Sequence, residues 1–403
     1  MLNIPNHSTR FIAVFIMFVM LSKYHIYVGF SLKIYMIFLI IYFCCVVAHF
    51  YFRPLYSYEV MLLLFYIIYC LSGAFSIYTN ASIRIIFGVV LVLGCYFIMR
   101  YMMEHTTISS LEKGIGTAGL VFNVVSLLLY VIGLQQSGFH AEGEVISYGL
   151  MIDRNYPRLI GLLDDPNIFV FYNTLFFTFY LTHLRGFKHI IGFILCISTS
   201  LLTFSRGGII SLLLVILLYI LMVNMVNKIK IITSLVIFSF IVICVANFIT
   251  DGQIEHIISS RIQDFANDNG SGRLELWTQA FQYFRDSPYI GIGAFNFSDY
   301  YAYSYNKKLY VHNTLLEILS ESGIFGFLSY VAFLTLLLVT IVTKRLHHKQ
   351  IYLLLTLFAF ILQMMSLSLI INEAFFLFLA ITLKYILDSE SEVEKHEIIY
   401  PKV

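Results

Sequence analysis

The chain has 403 residues, 60% of them hydrophobic and 12% charged, with a formal net charge of +2 and a mean hydropathy of +0.85. Soluble domains carry about a quarter charged residues, so this composition excludes an ordinary water-soluble globule and assigns most of the chain to lipid. All six cysteines (Cys44, Cys45, Cys70, Cys95, Cys196, Cys244) fall in apolar runs, which excludes a disulfide framework or a zinc spacing.

Apolar runs of roughly 17–25 residues are long enough to cross a bilayer. They are predicted near 11–22, 31–50, 58–76, 83–100, 117–135, 167–184, 188–204, 208–226, 229–249, 323–343, 350–369 and 374–388, about twelve in all. The first is short and is followed by no small-residue cleavage site, so it reads as a retained span and not a signal peptide. Between the later runs lie the compact basic turns "THLRGFKH" (182–189), "NKIK" (227–230) and "TKRLHHKQ" (343–350). Short basic connections stay on the cytoplasmic side, which places both termini inside as well. Lys23 and Lys33 fall on the outer side and count against this scheme. Two long connections, 136–166 and 250–322, are then external, and loops of that size usually have a job. The expectation is an all-α polytopic membrane protein: a single transmembrane domain over 1–403, with about twelve helices and a large external loop carrying amphipathic helices.

The outer side is rich in arginine: Arg84, Arg154, Arg158, Arg206, Arg261, Arg273 and Arg285. Each presents a planar, permanently charged fork suited to phosphate and carboxylate. The bland alternative for any one of them is headgroup contact. In "NYPRLIGLLDDPNIFVFYN" (155–173), Asp165 and Asn167 bracket a proline at a helix start and can be read as caps, whereas Arg158 has no such explanation. In "LLTFSRGGIISLLL" (201–214), Arg206 stands at a membrane rim, where a charge is costly unless partnered.

"SGRLELWTQAFQYFRDSPYIGIG" (271–293) places Leu274, Trp277, Phe281 and Phe284 on one helical face, between Arg273 and Arg285, and then breaks at proline and glycine. Further on, His312 heads a helical segment, with Asn313 and Glu317 on a shared face. A neutral imidazole there can accept or deliver a proton; the plainer reading is an interfacial histidine. Glu373, in a tight outer turn, is a second candidate base or a helix cap. No Asp-x-Asp pair, Walker loop or Rossmann fingerprint occurs, so an ATP-driven or nucleotide-sugar enzyme is not expected, and the anion must arrive on a membrane-delivered substrate.

"RLIGLLDDPN", "TFSRGG", "SGRLELWTQAFQYFRDSPYIGIGAFNF" and "HNTLLEILSESGIFGFL", in that order, resemble the O-antigen polymerase and O-antigen ligase family. The Gly-Arg-x(3)-Trp, Asp-Ser-Pro-x-x-Gly-x-Gly and His-Asn-x(3)-Glu signatures all stand in this chain. The resemblance covers 155–330 by motif and the other spans by hydropathy. It implies a glycosyltransferase of the bacterial inner membrane with the multi-spanning lipid-sugar transferase (GT-C-like) architecture. Such an enzyme moves glycan from an undecaprenyl-pyrophosphate donor at the periplasmic face, without metal or cofactor. Its implied partners are the lipid-linked glycan, the bilayer and a polysaccharide chain-length regulator, with no nucleic acid. By resemblance, Arg158, Arg206, Arg273 and His312 are the catalytic candidates. Asp165, Asn167, Asn313, Glu317, Arg285 and Glu373 are the substrate-binding candidates. Polymerase is the favoured role. O-antigen ligase, capsule or exopolysaccharide polymerase, and a flippase of lipid-linked oligosaccharide remain open.

Overall fold

The computed structural model describes residues 6–28, 30–137, 145–153, 156–184, 186–226, 228–229, 231–233 and 272–399. Arg154, Arg261, Cys244 and all but the start of the run expected at 229–249 lie outside the described residues.

Helices occupy the other predicted runs. They are α1 (Thr9–Met20), α2 (Ile34–Val46), α3 (Ser57–Ser72), α4 (Thr79–Glu104), α5 (Ile108–Ser137), α6 (Pro166–Thr182), α7 (Phe187–Leu202) and α8 (Arg206–Met222), and, later in the chain, α9 (Arg273–Asp286), α10 (Phe297–Tyr305), α11 (Thr314–Thr343), α12 (Ile351–Met364) and α13 (Glu373–Ile399). Among the described residues, four helical stretches are long and apolar enough to cross a membrane: Ser57–Phe75, α4, α5 and α11. Five more apolar helices are shorter. Helix α3 shows why water does not surround it. In α3, Tyr58, Leu62, Phe65 and Tyr69 form a buried stripe, while Val60, Leu64, Ile67 and Leu71 on the opposite face are apolar and exposed. An apolar face turned outward along a whole helix is stable in lipid, not in water.

The all-α expectation needs one amendment. His25–Tyr27 and Ser31–Lys33 pair as a two-stranded hairpin (β1, β2). Val145–Ser147, Leu150–Asp153 and Tyr156–Leu159 form a three-stranded antiparallel sheet (β3, β4, β5) in which Met151 faces Arg158. The segment 145–159 alternates short apolar stretches with turns, which suits strands; in a chain dominated by 3.6-residue apolar runs that signal was easily taken for loop.

The helices pack around a continuous core rich in aromatics. Polar side chains tie the interior. Asn123 Nδ2 donates to Asn173 Oδ1 at 2.9 Å, Thr199 Oγ1 donates to Asn123 Oδ1 at 2.5 Å, and Gln363 Nε2 donates to Thr174 Oγ1 at 2.8 Å, linking α5, α6, α7 and α12. Such bonds contribute roughly 0.6–2 kcal/mol each in a membrane interior. At one end of the bundle Arg100 and Glu59 form a buried ion pair at 2.8 Å. The guanidinium also donates to the carbonyls of Arg53 and Pro54, and Tyr96 donates to the Glu59 carboxylate.

At the other end, α11 is broken. Gly323 has φ 64° and ψ −164°, a region open to glycine alone. The chain at 288–293 crosses this break and pairs with it: Ile292 N–H donates to Ser320 O, Gly293 N–H to Glu321 O, and Ile324 N–H to Pro288 O, at 2.8–3.0 Å. The approach is so close that a Cβ on Gly323 would lie 2.3 Å from the Tyr289 carbonyl carbon, and one on Gly291 (φ 76°) 2.4 Å from that of Glu321. The glycines of "DSPYIGIG" and "SESGIFG" are therefore two halves of one crossing.

Glu321 fastens it. Its carboxylate accepts from Tyr69 Oη at 2.5 Å and from the backbone N–H groups of Phe295 at 2.9 Å and Phe297 at 3.0 Å. Next to it Asn296, fully buried, accepts from Ser76 Oγ and the Tyr78 N–H and donates to Ser82 Oγ and Ala294 O. The segment after α9 is thus bolted to α3, α4 and α11.

Candidate active site

A cavity of about 380 Å³ opens at this end of the bundle. Its polar wall is Asp165, Asn167, Arg273, His312, Glu317 and Ser368, and its apolar wall includes Ile85, Phe295, Leu367 and Ile371. The polar residues come from segments far apart in sequence, and most sit at helix starts. Asp165 caps α6, its Oδ1 accepting from the N–H groups of Asn167 at 2.7 Å and Ile168 at 2.9 Å, with Pro166 in the first turn. Arg273 is the first residue of α9, after Gly272 in the left-handed region. Asn313 caps α11 through the N–H groups of Leu315 and Leu316, both at 3.1 Å, and this turns the preceding His312 into the cavity mouth with φ 52°.

The starts of α8 and α13 adjoin the same region. Ser205, which caps α8, donates to Asn167 Oδ1 at 2.7 Å, and Asn372 caps α13 just after Ile370 and Ile371 of the cavity wall. A helix N-terminus carries about half a positive charge. Five such ends beside one cavity, together with guanidinium groups, make an anion-binding field.

Of the predicted arginines Arg273 lines the cavity, whereas Arg158 and Arg206 stand behind its wall. Arg158, on β5, donates from Nε to Thr203 O at 3.0 Å and from Nη2 toward Asn167 Oδ1 at 3.4 Å. This ties the sheet to the α7–α8 turn. Arg206 follows Ser205 as the first residue of α8, and a Cβ on the neighbouring Gly207 would lie 2.8 Å from Ser366 Oγ, two residues from Ser368 of the cavity. Arg273 and His312 therefore share the cavity, and Arg158 and Arg206 lie next to it without lining it. Arg285 does not join them: it is exposed at the far end of α9, over the ring of Phe281 at 5.1 Å. Glu373 is buried and held by Lys33 at 2.6 Å, beside the cavity but outside its wall. Asn313 is occupied with capping.

Lys23 and Lys33, which the basic-turn rule could not accommodate, each meet a carboxylate on this face: Lys23 contacts Asp164 at 3.2 Å and Lys33 contacts Glu373.

The helix α9 buries a different stripe from the one its periodicity suggested. Leu276, Ala280 and Tyr283 pack inward, while Leu274 and Phe281 are exposed. The chain offers two apolar stripes, and the one containing Ala280 allows the closer approach. It joins Ile292, Phe297, Tyr301 and Val311 in a small second core, and Trp277 Nε1 donates to Val311 O at 3.2 Å.

Burial lowers the pKa of His312, Arg273 lowers it further, and Asp165 pulls the other way. The imidazole is accordingly neutral at neutral pH, and its backbone N–H donates to Ser368 Oγ at 3.1 Å. Glu317 is 2% exposed, faces the cavity, and its Oε2 has no hydrogen-bond partner among the described residues. The cavity combines a cationic field, a neutral imidazole and a buried carboxyl group. It can hold a diphosphate, stabilise charge as that group leaves, and accept a proton from an attacking hydroxyl.

Sequence reasoning missed Ser368 and Tyr310, which both line the cavity, and the anchoring Glu321. Glu321 carried one signal, its position four residues after Glu317 on the same helical face.

Residues 191–331 match the family model described as O-antigen ligase. Arg206, Arg273, Arg285, His312, Asn313 and Glu317 fall inside that match; Arg158, Asp165, Asn167 and Glu373 lie outside it. The chain is 24% identical over 312 residues to the teichuronic acid biosynthesis protein TuaE of Bacillus subtilis (strain 168). The alignment covers 72% of this chain and 63% of the relative, so the chain spans less than two thirds of that protein's length.

Proposed function

We propose that this chain, whose residues 191–331 carry the O-antigen ligase family domain, is a membrane glycosyltransferase that builds a cell-surface polysaccharide from a polyprenyl-diphosphate-linked glycan. The observation that carries this reading is the cavity shared by Arg273 and His312 among converging helix starts. Arg158, Arg206 and Arg273 bind the diphosphate and spread the charge that grows on it as the glycosidic bond to phosphate breaks. His312 stands at the acceptor hydroxyl as its orienting or proton-accepting group, and Asp165 and Asn167 order that wall. The remaining apolar helices complete about twelve spans, with the cavity on the external face of the bacterial inner membrane.

The favoured role is polymerase, joining one lipid-linked repeat unit to another. The relative is named for teichuronic acid biosynthesis, which favours building a polymer over transferring one to lipid A core. A flippase is disfavoured because the chain shows no internal repeat and its candidate site residues lie at one end of the bundle. Transporters of that kind place theirs at mid-membrane in broken, repeated helices.

The decisive experiment is the lipid-linked glycan profile of a strain lacking the protein. Single repeats capped on lipid A core, or a pool of single external repeats, are expected. Free lipid-linked polymer with bare core means a ligase, and repeats trapped on the cytoplasmic leaflet mean a flippase. Arg273→Ala and His312→Ala should be made at normal levels and each lose polymer, since removing one transition-state donor costs on the order of 10²–10³ in rate.

A further inference from the structure

We propose that the carboxylate of Glu317 is the base of the transfer, taking the proton of the acceptor sugar's hydroxyl while His312 orients that hydroxyl. This rests on the transferase reading above and assigns the step which that reading left between groups.

The carboxyl groups on this face have different commitments. Glu321 accepts from Tyr69, Phe295 and Phe297. Glu373 is paired with Lys33, and Asp165 caps α6. Glu317 differs: its Oε2 is buried in the cavity wall with no partner among the described residues. A buried polar atom left without a partner costs about 1–3 kcal/mol. A fold that keeps one in the wall of a cavity has an acceptor ready for a hydroxyl that arrives with substrate.

Glu317 shares its cavity wall with Arg273 from the start of α9, His312 from the segment before α11, Asp165 from the cap of α6 and Ser368 from the turn before α13. Ser368, Glu321 on the next turn of its own helix and Tyr69 of α3 are its near polar neighbours. The Ser368 hydroxyl stands beside the carboxyl and also accepts from the His312 backbone, so the two candidate groups are positioned by one side chain. His312 is poorly placed to keep a proton, because an imidazolium there would face the Arg273 guanidinium. A carboxylate that gains a proton in the same cavity creates no second cation.

In the step, the acceptor O–H bond breaks and its proton goes to Glu317 Oε2. The acceptor oxygen bonds to the anomeric carbon. The bond from that carbon to the diphosphate oxygen breaks, and its electron pair leaves with the diphosphate. The carboxylic acid then returns its proton to water as products depart.

The test uses the full chain purified in lipid, with an undecaprenyl-diphosphate-linked repeat as donor and acceptor. Glu317→Gln and Glu317→Ala should lose roughly 10²–10⁴ in kcat while binding the donor within about 3-fold of wild type. Formate should restore part of the Glu317→Ala activity and none of the Glu317→Gln activity, because only the shorter side chain leaves room for a carboxylate. Glu317→Asp should exceed Glu317→Gln in turnover. Turnover of Glu317→Gln within about 3-fold of wild type, loss of donor binding alongside turnover, or absence of formate rescue would each overturn the assignment. A wild-type chain that transfers no sugar removes the transferase reading itself, and the assignment with it.

Discussion

His312 is set by two neighbours of opposite sign, and that makes its titration a direct probe of the cavity. Arg273 holds the imidazole down and Asp165 lifts it. Arg273→Gln should therefore raise the pKa of His312, and Asp165→Asn should lower it, read from the imidazole resonances of selectively labelled protein. Shifts of the same sign in both variants would mean that the two groups do not flank the ring. The linkage follows from the same shift. His312 has a lowered pKa in the fold, so the stability gained from keeping it neutral is present above its ordinary value of 6.5 and declines as pH falls through its folded value. Melting temperature should fall on acidification in the wild type, and less so in His312→Gln. At the far end of the bundle His7, pushed down to about 4 by burial and by His105, loses its contribution over the same direction of pH. The comparison between wild type and variant is therefore needed to isolate His312.

At the scale of elements, the crossing of 288–293 over the break in α11 joins motifs that looked separate in sequence. Gly323→Ala and Gly291→Ala should each displace that stretch of backbone, because a Cβ at either would lie within 2.5 Å of backbone atoms and the positive φ strains an L residue. The expected outcome is protease sensitivity in the region around α9 and loss of activity, with the rest of the bundle folded. Glu321→Ala removes three hydrogen bonds to a buried carboxylate and should cost on the order of 3 kcal/mol or more, whereas Tyr69→Phe, losing one, should cost about 1–2 kcal/mol. At the opposite end, Arg100→Leu strands Glu59 without its cation and should cost about 3–5 kcal/mol, visible as reduced abundance.

The helices themselves were legible in the sequence, since long apolar runs admit little else in lipid. The face that α9 buries was not, because two stripes competed and Ala280 decided between them through a neighbour distant in sequence. The strands carrying Arg158 were missed for a similar reason: their pairing spans three short segments, each weaker than a helical run. Of the site, Arg273 and His312 could be read from their motifs. The role of Glu321 could not, because two of its three partners are backbone groups of Phe295 and Phe297, which leave no trace in side-chain identity, and the third, Tyr69, is distant in sequence.

Across the whole molecule, the two ends of the bundle differ in kind. One carries the cavity and the helix starts; the other carries Lys344 paired with Glu390 and Lys349 paired with Glu392. In a cysteine-free background, Tyr303→Cys, at an 87% exposed position, should react from outside the cell with a membrane-impermeant thiol reagent. His347→Cys should react only after permeabilisation. Labelling of both from one side would overturn the proposed orientation.

The bolting of α9 and its following segment has a bearing on traffic through the cavity. Trp277, the small second core and the Glu321 anchor hold the helix that carries Arg273 against its neighbours. On the proposed function, an isoprenoid chain with a sugar head would slide in from the plane of the bilayer, along the apolar flank marked by Ile85 and Ile371, and a lengthening product would trail away into the aqueous space above.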